Sequence, residues 1–223
     1  MKPYLLPLTM LLILATAAVP ACAQVLYDDG PINGTTDGWT INFGFVVTDT
    51  FTLLNNSTVG GFNFGVWEFP GDKMLSVDWA ITSEAFGGTV YGSGTAGGNN
   101  LTDQFISSNQ FGYNIDNITA TGLNVSLAGN TTYWLELQNA VVTSGDPVYW
   151  DENSGIDCKG DDGMGGGCPS EATCNSCIAR QNLPPEAFDI NGTGSGTTPE
   201  PGSAMLFASG VLVCVGRLRR KLL

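Results

Sequence analysis

The stretch LNVSLAGNTTYWLEL, residues 123–137, contains two runs in which apolar and polar residues alternate. Such alternation places one set of side chains on one face of an extended chain, as in a half-buried β-strand. Between the runs, Ala128-Gly129-Asn130 is typical of a tight turn. The stretch therefore predicts two strands joined as a hairpin. The apolar positions are Leu123, Val125, Leu127, Tyr133, Leu135 and Leu137.

The same alternation recurs through residues 25–141, where pairs of glycines separate the runs. No long segment with a helical period occurs outside the two termini. Many short strands with turn signals between them predict an all-β domain, a β-sandwich of jelly-roll type, over residues 24–190. The other alternating apolar positions are Ile41, Phe43, Phe45 and Val47, then Phe62, Phe64 and Val66, then Leu75, Val77, Trp79 and Ile81.

The charge of the chain limits its partners. It has 21 Asp and Glu against 8 Lys and Arg, and it has no histidine. Phosphate binding needs clustered cations, so we expect no nucleic acid partner. Without histidine, a Ser-His-Asp site, a Cys-His site or a histidine-ligated zinc cannot form. The acidity favours divalent cations or neutral sugars as ligands, or it serves only the solubility of an exported protein.

Carboxylates are the main catalytic groups that remain. Glu68 and Glu136 are the candidates for the acid and base of glycoside hydrolysis. That reaction requires two carboxyl groups roughly 5–9.5 Å apart in a groove. Nothing in the sequence brings these two residues together, so we expect a non-catalytic protein.

Five tryptophans have two alternative roles, core packing or stacking on sugar rings. Trp67 does not follow the alternation of Phe64 and Val66 and is predicted on the opposite face of the strand. Trp134 is likewise predicted on the face opposite to its apolar neighbours. These two indoles are therefore the candidates for an exposed ligand platform. The five are Trp39, Trp67, Trp79, Trp134 and Trp150.

The segment 145–167 is rich in acidic side chains and glycine. Oxygen-rich loops of this kind can bind Ca²⁺, although the spacing does not match an EF-hand. The alternative is a solvated acidic loop, and no other cofactor is expected. The candidate ligands are Asp151, Glu152, Asp157 and Asp161.

A Cys/Gly-rich insert at about 155–180 follows, and it contains four cysteines. In an exported chain they predict two disulfides, with three connectivities open. A four-cysteine zinc site and a redox C-x-x-C are the alternatives; only the last two cysteines have zinc-type spacing. The four are Cys158, Cys168, Cys174 and Cys177.

Residues 1–23 have the features of a secretory signal peptide: a basic start, an apolar core and the cleavage site Ala21-Cys22-Ala23. Cleavage before Cys22, as in a lipoprotein, is the alternative, and Pro20 disfavours it. At the other end of the domain, residues 191–198 are rich in Gly, Ser and Thr, which predicts a flexible linker.

The C-terminus has three parts. Pro199-Glu200-Pro201 comes first, then the uncharged run 203–216, then a basic cluster. As a helix the run would reach roughly 21 Å, short of the ~30 Å hydrocarbon core, but the cations after it predict a cytoplasmic stop for a transmembrane helix. A core helix with a solvated basic end is the alternative. The basic residues are Arg217, Arg219, Arg220 and Lys221.

This order of motif, apolar segment and basic end closely resembles the PEP-CTERM sorting signal of Gram-negative bacteria. The resemblance covers residues 199–223 and implies an exosortase as partner, processing near Pro199-Glu200-Pro201 at the inner membrane, and a host that makes exopolysaccharide. The body resembles uncharacterised PEP-CTERM ectodomains at Tyr133–Ala140 and Asp146–Gly155. Those relatives imply no activity.

Together these features predict an exported protein that is anchored at the membrane before processing and then lies at the cell surface or outside the cell. We expect a structural or interaction role associated with exopolysaccharide. The alternative is a carbohydrate-binding module that uses exposed aromatic residues, with or without Ca²⁺. A line of exposed aromatics would favour the second hypothesis, and five buried indoles would disfavour it.

Overall fold

The computed structural model describes residues 24–153 and 170–194, and these residues form two antiparallel β-sheets. A 3-10 helix, Gly98–Asn100, is a short connection. The prediction of an all-β domain is confirmed, and the two sheets pack on a shared core as in a β-sandwich. In chain order the strands are β1 (Gln24–Asp28), β2 (Gly38–Thr40), β3 (Phe45–Thr52), β4 (Ser57–Glu68), β5 (Met74–Glu84), β6 (Gly87–Gly97), β7 (Leu101–Ser108), β8 (Asn114–Leu127), β9 (Thr132–Val142), β10 (Tyr149–Asp151), β11 (Ser170–Cys174), β12 (Arg180–Leu183) and β13 (Phe188–Gly194).

Sheet A has seven strands, with β4 at its centre. Strand β8 pairs along one side of β4, and β7 pairs with β8. On the other side, β13 and β10 pair with successive parts of β4, and they in turn pair with β1 and β2. Sheet B has six strands in the order β12-β11-β3-β9-β5-β6.

The core lies between the sheets and is rich in aromatic rings. Phe62 and Phe64 project from β4, and the ring of Phe62 lies 6.2 Å from that of Trp79 on β5. Leu135 and Leu137 of β9 are fully buried on the opposite side. Alternation thus predicted the inner faces of β4 and β9 correctly, because a pleated strand sends successive side chains to opposite faces.

The prediction of a hairpin at residues 128–130 is wrong. Strand β8 belongs to sheet A and β9 to sheet B, so the connection crosses from one sheet to the other. Its N–H groups donate hydrogen bonds to the connection between β3 and β4, which also crosses between the sheets. Asn130 N donates to Leu53 O at 2.7 Å, and Gly129 N donates to Asn56 Oδ1 at 2.9 Å. Because the chain crosses between the sheets, the apolar faces of β8 and β9 face each other across one core. In a hairpin the two strands would lie side by side in the same sheet.

The predicted strand through Ile41, Phe43, Phe45 and Val47 is also interrupted. Ile41 and Val47 are buried, but Phe43 is 64% exposed and has a φ of 55°. A turn closes there, with Phe45 N donating to Asn42 O at 3.0 Å. The side chain of Asn42 fixes this turn by donating to Asp146 O at 2.9 Å.

The last strand runs beyond the predicted end of the domain at residue 190. Strand β13 continues to Gly194, and Gly192 and Thr193 pair with β4. Residues 191–194 are therefore strand and not linker, because backbone pairing does not require large side chains. The predicted signal peptide, the transmembrane segment and the motif Pro199-Glu200-Pro201 lie outside the described residues, as do Arg217, Arg219, Arg220 and Lys221. Within residues 24–153 and 170–194, no helix has the length and hydrophobicity needed to cross a bilayer.

Candidate functional site

An aromatic groove lies on the outer face of sheet A. Trp67 of β4 pairs directly with Tyr149 of β10. Their neighbours Val66 and Trp150 are fully buried in the core, so Trp67 and Tyr149 project to the other face. We call this feature the aromatic groove. It has a volume of about 250 Å³ and is lined by Asp37, Gly38, Trp67, Phe111, Tyr113 and Tyr149.

The rings of the groove form one connected set. Phe111 stacks on Trp67 at 5.6 Å with an angle of 20° between the planes. Tyr113 lies 5.8 Å from Trp67 and 5.6 Å from Tyr149, and Phe69 meets Tyr113 edge-on at 5.0 Å. Phe111 is 56% exposed, and both tyrosines are half-buried. The groove therefore offers several ring surfaces to a ligand.

The polar groups of the groove are two phenols and one carboxylate. Burial raises the pKa of the Tyr149 phenol, and hydrogen bonding with Tyr113 raises it further. Asp37 is exposed at the rim, and its carboxylate accepts a hydrogen bond from Gly38 N at 2.9 Å. A Cβ at Gly38 would lie 3.0 Å from Tyr149 Cβ, so glycine keeps the floor open. Rings with hydroxyl and carboxylate groups beside them suit a sugar, which has apolar C–H faces and polar edges.

Trp67 does not form the exposed platform that the sequence predicted. It is only 5% exposed, because Phe111 covers its ring. It forms the base of the aromatic groove, and the accessible rings are those of Phe111, Tyr113 and Tyr149. These three residues were missed in the sequence, since none stands out from an alternating apolar pattern.

Asp151 and Glu152, two of the predicted Ca²⁺ ligands, accept hydrogen bonds from the two indoles of this region, and their binding of Ca²⁺ stays a prediction. Asp151 is fully buried and accepts three hydrogen bonds: from Trp67 Nε1 at 2.6 Å, from Asn33 N at 2.9 Å and from Gly34 N at 3.1 Å. These donors present positive charge where a cation would bind. Burial raises the pKa of Asp151, and the three hydrogen bonds oppose this rise.

Glu152, next along the chain, accepts a hydrogen bond from Trp39 Nε1 at 2.6 Å. Burial raises its pKa as well. The guanidinium of Arg180 lies 5.6 Å from the centre of the Trp39 ring, so this indole is held by a carboxylate and a cation. Asp157 and Asp161, the other predicted ligands, lie outside the described residues.

The prediction of disulfides is confirmed for one pair of the four cysteines. Cys174 and Cys177 form a disulfide across a turn in which Cys177 N donates to Cys174 O at 3.1 Å. A zinc site of four thiolates cannot include these two residues while they are bonded to each other. Cys158 and Cys168 lie outside the described residues, so their pairing stays a prediction.

Trp134 projects from the outer face of sheet B, as its phase predicted. The neighbouring Tyr133 and Leu135 are buried, and the indole is half-buried between Thr50 and Thr82 of the flanking strands. Its role as a ligand platform stays a prediction.

Glu68 and Glu136 are too far apart to act as a catalytic pair. Glu136 shares the outer face of sheet B with Trp134. Glu68 follows Phe64 and Val66 on the core side of β4, in a group of carboxylates that includes Asp103. Asp103 accepts a hydrogen bond from Met74 N, and Met74 pairs with Val142, six residues along β9 from Glu136. That is about 20 Å along the strand, well beyond the spacing the reaction needs.

Buried carboxylates account for much of the acidity of the chain. Eight Asp or Glu side chains are buried among the described residues, so the acidity does not serve solubility alone. Burial and the charges of Asp103 and Asp116 raise the pKa of Glu68 to about 8. The eight are Asp29, Asp49, Glu68, Asp72, Asp116, Asp151, Glu152 and Glu186.

Asp49 and Glu186 form a fully buried pair. Glu186 N donates to Asp49 Oδ2 at 2.6 Å, and Ser170 Oγ donates to Glu186 Oε1 at 3.0 Å. Burial, together with the charge of Asp29, raises the pKa of Asp49 well above its usual value. Burial and the charge of Asp49 do the same for Glu186, with Glu152 adding to the rise.

A larger cavity of about 510 Å³ lies at the other end of β4, near Ser57 and Leu127. Its lining contains no ring and no charged side chain, so it lacks the stacking surfaces that the aromatic groove offers. Comparison of the chain with models of protein families finds no match, and comparison with curated proteins finds no significant match. The aromatic groove is therefore the feature that best indicates function.

Proposed function

We propose that this chain is an exported, non-catalytic surface protein whose β-domain binds polysaccharide in the aromatic groove. The observation that carries the proposal is the set of rings from Phe111, Tyr113 and Tyr149, joined through Trp67 and lying around a glycine floor. The Asp37 carboxylate lies at the rim. Sugar rings stack on aromatic faces through C–H contacts, while phenols and carboxylates bond their hydroxyl groups. Such a site needs no catalytic residue.

The termini supply the location in this proposal. A signal peptide at residues 1–23 starts export, and a transmembrane helix in the C-terminal PEP-CTERM-like segment holds the protein at the inner membrane. An exosortase then processes the tail near Pro199-Glu200-Pro201, and the domain reaches the cell surface or the exopolysaccharide matrix. Repeated crossings between the two sheets support the finer assignment of the domain to a jelly-roll-like sandwich.

A glycan array probed with the full-length chain in mild detergent, with and without Ca²⁺, tests the binding function. We expect binding to a neutral polysaccharide. Tyr149→Ala or Tyr113→Ala should weaken it about tenfold, which corresponds to ~1.4 kcal/mol. Phe45→Ala, a matched loss of an exposed ring on sheet B, should leave it unchanged. Equal binding by all three variants would refute the groove as the site.

Sorting is tested separately by replacing Pro199-Glu200-Pro201 with three alanines in a host that contains an exosortase. We expect the unprocessed chain to accumulate in the inner membrane. Normal release of that variant to the surface would contradict sorting through this motif and would leave the binding function untouched.

A further inference from the structure

Three carboxylates converge on the core side of sheet A, where β4, β7 and β8 lie side by side. Glu68, Asp103 and Asp116 each place an oxygen within 4.8 Å of the other two. Oxygen ligands at 2.3–2.6 Å from a Ca²⁺ ion lie up to about 5 Å from one another across the ion. The spacing therefore fits three ligands of one cation. We call this group the acidic triad.

Glu68 lacks the partners that a buried carboxylate needs. It has no solvent exposure, and neither of its oxygens has a hydrogen-bond partner among the described residues. Asp116 is equally buried, and its Oδ2 also lacks a partner. Buried polar groups are normally hydrogen-bonded, and buried charges are normally paired or bound to a metal. Glu68 and Asp116 thus bring three oxygens without hydrogen-bond partners into the acidic triad, which indicates a missing positive ligand.

Among the described residues, Lys73 is the one cation at the acidic triad, and it neutralises only part of the charge. Lys73 Nζ lies 2.7 Å from Asp103 Oδ1 and 3.3 Å from Asp116 Oδ1, and it does not bond to Glu68. One ammonium group faces three carboxylates. Half of the lysine side chain is exposed, so its flexible stem can carry the ammonium group into solvent without disturbing the core.

We propose that Glu68, Asp103 and Asp116 bind a divalent cation, Ca²⁺ in preference to Mg²⁺, and that Lys73 turns toward solvent when the cation enters. The ligands are all oxygens, which favours Ca²⁺ or Mg²⁺ over zinc and copper. Ca²⁺ accepts an irregular set of ligands completed by water, whereas Mg²⁺ requires a near-ideal octahedron. Met74 N donates to Asp103 Oδ2 at 2.8 Å and so fixes the orientation of one ligand.

The cation would join three strands of sheet A. It would tie β7 and β8 to β4 near the loop that joins β7 to β8. That loop carries Phe111 and Tyr113, and Asp116 lies only three residues after Tyr113. The acidic triad shares no side chain with the aromatic groove, so it can bind a cation whether or not the groove binds sugar.

Calorimetric titration of the full-length, EDTA-treated chain in mild detergent tests the proposal, with CaCl₂ and MgCl₂ compared at equal ionic strength. We expect saturable Ca²⁺ binding and a higher melting temperature with Ca²⁺. Glu68→Gln and Asp116→Asn should each weaken binding at least tenfold. Glu84→Gln, on an exposed position of β5, is the matched control and should bind like the wild type.

Lys73→Met distinguishes a cation site from a structural ion pair and does not depend on the folding of the other variants. If Ca²⁺ displaces the ammonium group, this variant should bind Ca²⁺ at least tenfold more tightly, because the competing charge is gone. Absence of Ca²⁺ binding by the wild type would overturn the proposal. So would unchanged binding by Glu68→Gln and Asp116→Asn, or weaker binding by Lys73→Met.

Discussion

The carboxylate of Asp151 should be one of the main anchors of the domain, and its removal should be costly. It is fully buried and joins β10 to Trp67 of β4 and to the backbone of Asn33 and Gly34. In Asp151→Ala, the indole N–H and the buried Gly34 N–H lose their acceptor. Each buried donor left unpaired costs ~1–3 kcal/mol. We expect a total loss of about 3–5 kcal/mol, a large part of the 5–15 kcal/mol typical of a folded domain.

Asp151→Asn is the sharper test because it keeps the shape of the side chain. Its amide oxygen can still accept from Asn33 and Gly34, but its NH₂ group then faces Trp67 Nε1–H, which is also a donor. One hydrogen bond to a charged acceptor is lost and two donors meet, so we expect a loss of about 2–3 kcal/mol. Misplacement of the Trp67 ring should also weaken glycan binding in the aromatic groove.

Urea denaturation followed by tryptophan fluorescence measures these losses, with Asp146→Asn as the control. Asp146 is exposed, and we expect its variant to remain within ~0.5 kcal/mol of the wild type. A loss below ~0.5 kcal/mol for Asp151→Asn would refute the anchoring role. Lower Ca²⁺ affinity with unchanged stability in the same variant would instead support the prediction that Asp151 is a metal ligand.

Three further predictions concern pH, thiols and the C-terminus. Asp49 and Glu186 have raised pKa values in the folded domain, so they hold their protons there at a pH where the unfolded chain has lost them. The contribution of these two groups to stability should therefore be largest below about pH 4 and fall as pH rises, by up to ~1.4 kcal/mol per pH unit for each group. Urea denaturation across pH should show a smaller loss of stability with rising pH for Glu186→Gln. Protein from the periplasm should contain no free thiol among its loop cysteines, and labelling of more than one of them after denaturation would instead indicate metal or redox use. Deletion of residues 199–223 should leave a soluble, secreted domain, and an insoluble or unfolded product would show that the tail belongs to the core. The loop cysteines are Cys158, Cys168, Cys174 and Cys177.

Much of the strand content was predictable, because the signal is local. Phe62, Phe64 and Val66 alternate in sequence, and all three are fully buried. The prediction failed at Phe43, where the side chain of Asn42 forms hydrogen bonds with a distant loop. The failure has a clear cause: alternation describes a face of an extended chain, and it contains no information about a turn that tertiary contacts impose.

The functional site was less predictable than the fold. Trp67 was singled out for its phase, which correctly placed it on the outer face of β4, but Phe111 covers its ring. The accessible rings of Tyr113 and Tyr149 meet only because β8 and β10 lie on opposite sides of β4. The acidic residues at 151 and 152 were noticed for their charge, and their indole partners could not be inferred from their positions in the chain.

The sequence by itself determined that this chain folds as strands and which faces of several strands are apolar, and it predicts export and sorting signals at the two ends. These properties follow from residue types within a few positions of one another. Only the tertiary structure decided that β8 and β9 enter different sheets and that Asp151 meets Trp67, 84 residues away. The same holds for Glu68 and its partners in the acidic triad. Such contacts depend on how the whole set of strands buries its apolar faces at once, and local periodicity does not specify that choice.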